Sequence, residues 1–339
     1  MTEPIRKTAH RNRLSRLSSL LSPNRIAFSL MSVFSLLLIL RNSELAISAM
    51  SQGLRLCAKT VIPSLFPFMV ISELIVSTGA VRPLGRLLAR PFRCLLGIGG
   101  ESGCAVLLGL LCGFPVGGKC ALALYRRGQI DRAELEHLLT FCNAPSSAFL
   151  ISAVGSSLFG NRAFGVRLYA ISLCSALLIG IVGNFLRKRK NASTPRSPIP
   201  SVPLTPAPRG ILCFTEAVTS SALSMLYICA FVVFFSALTG TLTYLLAAWN
   251  LSEALTALCF GFFELSGGVS RAALCAAPLS EYLCAWTVGW SGLSVHFQMM
   301  SLCGEDSVSF RAYFPAKLAH GCLNVLLLAG YRLLAAQCS

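Results

Sequence analysis

Lys119 closes the stretch GLLCGFPVGGKCALAL, Gly109 to Leu124, in which Gly113, Pro115, Gly117 and Gly118 interrupt an otherwise apolar run. A helix broken in lipid leaves backbone N–H and C=O groups without partners, and this is tolerated only where protein or a water-filled cavity covers them. A cation at that depth is costly unless it faces a cavity or a partner. Broken-helix N-termini and a lysine together are anion-binding chemistry. The stretch GFFELSGGVSRAAL has the same parts, with Glu264, Gly267, Gly268 and then Arg271. Lys119 and Arg271 on two such elements would suit an anion with two negative groups. Plainer readings stand beside this one: either cation can snorkel to an interface, and the glycines can serve close helix packing.

A second pair of interruptions follows the first. FCNAPSS holds Asn143, Pro145 and Ser146, and its counterpart SGLSVHFQ holds Ser291, Ser294, His296 and Gln298. Such side chains can hold a substrate or cross-link helices by hydrogen bonds, and His296 can titrate near neutrality. Glu73 and Glu264, both in apolar runs, are candidate proton or ion sites, Glu73 having the alternative of pairing with a nearby cation. Arg167 and Lys317 lie near helix starts, which favours snorkelling.

Other chemistries find little support. The four histidines lack metal-ligand spacing, and the fifteen cysteines contain no C-x-x-C pair. Thiols inside apolar runs, such as Cys174, Cys229 and Cys259, are expected to act as small hydrophobes. Paired carboxylates, a nucleotide loop and a nucleophile with a matching base are all lacking, so neither an enzyme nor a metal or cofactor site is expected.

The elements that must position these residues are membrane helices. The 339 residues are 55% hydrophobic and 12% charged, with a mean hydropathy of +0.69, outside the range of soluble globular proteins. The net charge of +16 is uneven: residues 1–210 carry 25 Lys/Arg against 7 Asp/Glu, and residues 211–339 carry 4 against 6. The excess sits in clusters beside apolar spans, which is topology signal and not a nucleic-acid patch. A basic cytoplasmic tail (1–25) precedes a first transmembrane helix (26–43) that is retained, since no small-residue cleavage site follows Leu40. Residues Glu44 to Thr60 have the spacing of an interfacial helix. Spans are expected at Val61 to Ala80, Phe141 to Phe159, Phe164 to Leu186, Met225 to Leu246, Tyr282 to Cys303 and Phe314 to Leu334. With the first helix these make about seven. Arg82, Arg86, Arg90 and Arg93, and then Arg187 to Lys190, mark cytoplasmic ends. Residues 191–209 hold six of the sixteen prolines and read as a cytoplasmic linker.

Shifting the chain by 152 residues lays Gly109 on Gly261, Lys119 on Arg271 and Leu122 on Leu274. A shift of 150 lays Phe164 on Phe314, Arg167 on Lys317 and Gly180 on Gly330. These offsets predict two repeats, 44–190 and 210–339, each with one broken or re-entrant segment. Three crossings per repeat would turn the second upside down. Inverted repeats with discontinuous helices are the architecture of secondary transporters, whose sites lie between the repeats. The expected fold class is therefore an all-α polytopic membrane protein with an inverted-topology repeat.

At Gly109, Cys112, Gly113, Phe114, Pro115, Gly117, Gly118 and Lys119, then Phe141 and Asn143, then Gly292, Ser294, Val295, His296 and Gln298, the chain resembles the YlbJ family of sporulation integral membrane proteins. The resemblance spans about residues 45–335. Ala144 and Pro145 depart from it, a second Asn or a Gly being expected before the proline. It implies Gate-like repeats and transport of dipicolinic acid from mother cell to forespore, in the cell membrane or outer forespore membrane. Dipicolinate carries two carboxylates. A nucleoside-type carrier and a non-transporting assembly protein of the spore envelope are the alternatives. Expected partners are a small organic anion and membrane lipid, no nucleic acid, with a homo-oligomer left open.

Overall fold

The computed structural model describes residues 23–78, 90–190, 211–304 and 306–337. The basic tail up to residue 22, Arg82, Arg86, the proline-rich linker 191–209 and Glu305 lie outside the described residues. Among the described residues the secondary structure is entirely helical.

The first helix, α1 (Pro23–Arg41), meets α2 (Ser43–Leu56) at a bend of 100°. A π-helical turn, Cys57–Val61, joins α2 to α3 (Ile62–Ser77), which carries Pro67 inside it. Then come α4 (Ser102–Cys112) and α5 (Val116–Arg126), the arms of a tight hairpin around Gly113 to Pro115. α6 (Arg132–Phe141) is capped by Asp131, whose carboxylate accepts the Glu134 N–H at 2.7 Å, as its position before a polar helical stretch predicts. A second π segment, Ala148–Leu158, follows the Asn143 interruption and leads to α7 (Arg162–Lys190).

The second half begins with α8 (Ile211–Ala248), 38 residues without a break. The span expected at Met225 to Leu246 is the C-terminal part of this one helix, about 57 Å long at 1.5 Å per residue. No proline interrupts it, and Thr219, Ser224, Thr239, Thr241 and Thr243 bond to carbonyls four residues back. Hydroxyls satisfied inside their own helix tolerate an apolar setting. α9 (Glu253–Phe263) and α10 (Leu265–Ala272) form the second hairpin. Next are α11 (Leu279–Trp290) and α12 (Gly292–Cys303), and α13 (Tyr313–Gln337) closes the described chain.

Among the described residues three helices are long and apolar enough to cross a membrane, at Arg162–Lys188, Ile211–Leu246 and Tyr313–Gln337, and the bent α1/α2 pair would make a fourth. The span expected at Val61 to Ala80 is, in its described part, the shorter helix α3, and two other expected spans are in pieces. Phe141 to Phe159 divides between α6 and the second π segment. Tyr282 to Cys303, expected as one span, divides at Ser291 and Gly292, whose φ values of 74° and 81° cannot continue a right-handed helix.

Each hairpin is closed by a glycine pair. A Cβ added at Gly117 would meet the Gly109 Cα at 2.6 Å, and one at Gly268 would meet the Gly261 N at 2.6 Å. The two arms thus touch backbone to backbone, which only residues without side chains permit. Outer faces are apolar and exposed, for example Val182, Phe185 and Leu186 on α7 and Leu326, Leu333 and Leu334 on α13, as lipid contact requires. The thiols divide accordingly. Cys104, Cys120, Cys142 and Cys284 are buried in apolar clusters, whereas Cys174, expected to be a core group, faces outward.

Candidate functional site

Each hairpin tip lies against the interruption that follows it in the chain. In the first half the Phe114 N–H donates to the Ala144 carbonyl at 2.8 Å. Gly113, at φ 85°, brings its Cα so close that an added Cβ would stand 2.5 Å from the Ser146 N. In the second half the Trp290 indole N–H donates to the Phe262 carbonyl at 3.0 Å, and Gly292 abuts the backbone of Glu264 and Leu265. The two kinds of break seen in the sequence are therefore one structural unit in each half.

Asn143 organises the first unit. Its Oδ1 accepts the Gly118 N–H at 2.9 Å, near the start of α5, and its Nδ2 faces the Met299 sulfur at 3.4 Å. Its backbone carbonyl accepts a hydrogen bond from the Lys317 ammonium of α13. Lys317 is fully buried, not snorkelling as its place near a helix start predicts. The ammonium gives a buried acceptor, the Asn143 carbonyl two residues past the end of α6, its hydrogen-bond partner. Asn143→Ala is expected to cost about 2 kcal/mol, the price of a buried N–H left without an acceptor. Asn143→Asp, which keeps that acceptor, should recover most of the loss. Thermal unfolding in detergent would measure both.

Glu264 organises the second unit. It is buried and caps α10, its carboxylate oxygens accepting the N–H groups of Ser266 at 2.9 Å and Gly267 at 2.5 Å. The Gly118 and Gly267 N–H groups, expected to be open for an anion, are thus already occupied, because buried donors without partners are costly.

The remaining expected site residues separate. Lys119 is buried, 3.6 Å from the Glu73 carboxylate and 3.2 Å from the Ser221 hydroxyl. It lines a cavity of about 160 Å³ with Glu73 and Arg126. Arg271 lies over the Phe260 ring at 5.1 Å and 4.0 Å from Glu253. It lines another cavity of about 510 Å³. The two cations expected in one anion site are therefore not brought together. His296 lines none of the three described cavities. Its ring is boxed by Trp290, Tyr313 and Phe314, with Nδ1 3.1 Å from the Tyr313 hydroxyl. Ser294 is buried and accepts from the Gln298 amide at 3.2 Å. Arg167 stacks on Tyr331 at 5.3 Å.

A cavity of about 470 Å³ does collect the breaks. Phe114, Pro145 and Ser146 come to it from the first half, and Glu264, Ser266 and Gln298 from the second. Ser152 and Ser157 of the second π segment, Phe149 and Lys59 complete its working surface. This lining offers hydroxyl and amide donors, two aromatic faces, one exposed ammonium and one carboxylate already engaged as a cap. Ser146, Glu264 and Gln298, expected as substrate-binding residues, line this cavity, and Lys59, which was not expected, lines it too. Its only signal is that no other cation occurs between Arg55 and Arg82, just ahead of Pro63 and Pro67.

Over an alignment of 338 residues, 91% of this chain and 81% of the relative, the sequence is 27% identical to the sporulation integral membrane protein YlbJ of Bacillus subtilis (strain 168). This likeness, over nearly the whole chain, supports the resemblance to the YlbJ family. Its long apolar helices and this likeness make it an integral membrane protein. No family model and no solved structure matches the chain.

Proposed function

We propose that the protein moves a small organic anion across a membrane, with dipicolinate travelling from mother cell to forespore as the candidate cargo. The observation that carries this reading is the cavity of about 470 Å³ bounded by the breaks of both halves. Ligand sites at such places are mostly apolar with a few polar groups that fix orientation. Lys59 supplies the charge, Ser146, Ser152 and Gln298 supply donors, and Phe114 and Phe149 supply faces for an aromatic ring.

The shared order of elements supports an inverted repeat. Hairpin α4/α5, broken helix and α7 in one half answer hairpin α9/α10, broken helix and α13 in the other. With α1, α3 and α8 this order accommodates about seven crossings, three in each repeat. An odd number reverses the second repeat, and a cavity where the halves meet then has access to either face in turn. We read the protein as a carrier and not an enzyme, because the carboxylate in the cavity is held as a helix cap.

Purified protein in sealed vesicles should accumulate radiolabelled dipicolinate above protein-free vesicles, and uridine should not accumulate. Lys59→Ala should slow uptake about tenfold, the weight of one charge-assisted hydrogen bond, while Lys59→Arg should keep most of it. Uridine uptake without dipicolinate uptake would make the cargo a nucleoside. Neither uptake by a folded, membrane-inserted protein would favour an assembly role.

A further inference from the structure

We infer that this cavity and the larger one of about 510 Å³ are the two vestibules of a single passage, and that the Glu264 cap is the partition between them. The inference rests on the transport reading above and adds the route and the moving part. Both cavities are walled by the same three residues, Leu56, Glu264 and Ser266. Their other lining residues differ: the first opens among the second π segment, α12 and Ile228 and Val232 of α8, the second among α2, the stretch of α8 from Ser236 to Thr243 and the Arg271 face of α10.

The partition is thin. It is one carboxylate, one leucine and the first turn of a helix of eight residues. Two hydrogen bonds hold the carboxylate there, to the Ser266 and Gly267 N–H groups. Each vestibule has one cation, Lys59 in the first and Arg271 in the second. An anion drawn to either side meets a fixed negative charge in the middle, so the closed form resists its passage. Release of Glu264 from the α10 terminus removes both the charge and the wall at that point. The neighbourhood permits such a movement, because Gly267 carries no side chain and Arg271 is held by the face of the Phe260 ring and a 4.0 Å contact to the exposed Glu253, not by Glu264. Glu264 is then a gating residue, and Arg271 serves the far vestibule instead of sharing a site with Lys119.

Sidedness of thiol labelling tests this without relying on uptake. Ser152→Cys reports on the first vestibule and Ser270→Cys on the second, each in the full-length chain in sealed vesicles. Labelling by a membrane-impermeant maleimide is counted above that of the parent chain. The two reporters should label from opposite faces. Adding Glu264→Ala should raise labelling from the other face about tenfold, the scale on which a lost cap shifts a closed–open equilibrium. Glu264→Gln, whose amide oxygen keeps one acceptor, should give a smaller rise and provides the result if the alanine variant does not fold. Labelling of both reporters from one face, no labelling of either, or unchanged sidedness in folded Glu264 variants would overturn the inference. Intact uptake beside that outcome would leave the transport reading standing, whereas correct sidedness without dipicolinate uptake would count against the cargo alone.

Discussion

Gly117→Ala is expected to abolish recovery of folded protein. A Cβ at Gly117 would meet the Gly109 Cα at 2.6 Å, the Ala105 carbonyl at 3.2 Å and, closer still, the Cys142 carbonyl. All three are backbone, and no rotamer change can clear them. Overpacking a core costs about 1–3 kcal/mol when side chains can shift, so a backbone clash at the hinge of α4, α5 and the Asn143 break should exceed that range. Gly268→Ala, against Gly261, should behave alike in the second half. Gly330→Ala, with no atom within 4 Å of its added Cβ, should be tolerated. Size-exclusion profiles of the three variants after detergent extraction check this, and a monodisperse Gly117→Ala protein would refute the close-approach account.

Lys119→Ala should destabilise the protein by about 3 kcal/mol, because removing one partner of a buried ion pair strands the other charge. Lys119 is buried and 3.6 Å from Glu73, whose side chain is 18% exposed. The double variant Lys119→Met with Glu73→Gln should recover most of the loss, since an apolar or neutral replacement of such a pair is often nearly neutral. Thermal melts of the two single variants and the double variant form the cycle. The outcome also decides what Lys119 does. A stable double variant that still transports makes the pair structural, joining α3, α5 and α8 through Glu73, Lys119 and Ser221. A stable double variant without transport returns Lys119 to the cargo's path.

The two interrupted hairpins were legible because glycine and proline act locally. Gly113 has a positive φ and Pro115 lacks an N–H, so a helix cannot continue through them whatever surrounds it. The Glu264 cap was also local, its partners lying two and three residues ahead. An acid followed by small residues at a helix start is a capping pattern. It was nevertheless assigned to a cargo or ion, because its place in an apolar run drew attention to charge before hydrogen bonding. Asn143 shows the opposite case. Its side chain serves Gly118 and its carbonyl serves Lys317, 25 and 174 positions away, distances at which no periodicity operates.

What the sequence determined by itself is the solvent and the places of failure. Its hydropathy demands lipid, its clusters of basic residues mark the ends of spans, and its Gly/Pro runs say where helices must break. Those properties arise from single residues and their near neighbours. Tertiary structure alone decided which buried charges are partners and which face a cavity. Lys119 found Glu73, His296 was enclosed by aromatic rings, and Lys59, unremarked in an interfacial stretch, reached the cavity between the halves. A buried charge must be neutralised or solvated by whatever packing brings near it, and that neighbour is chosen by the meeting of distant helices.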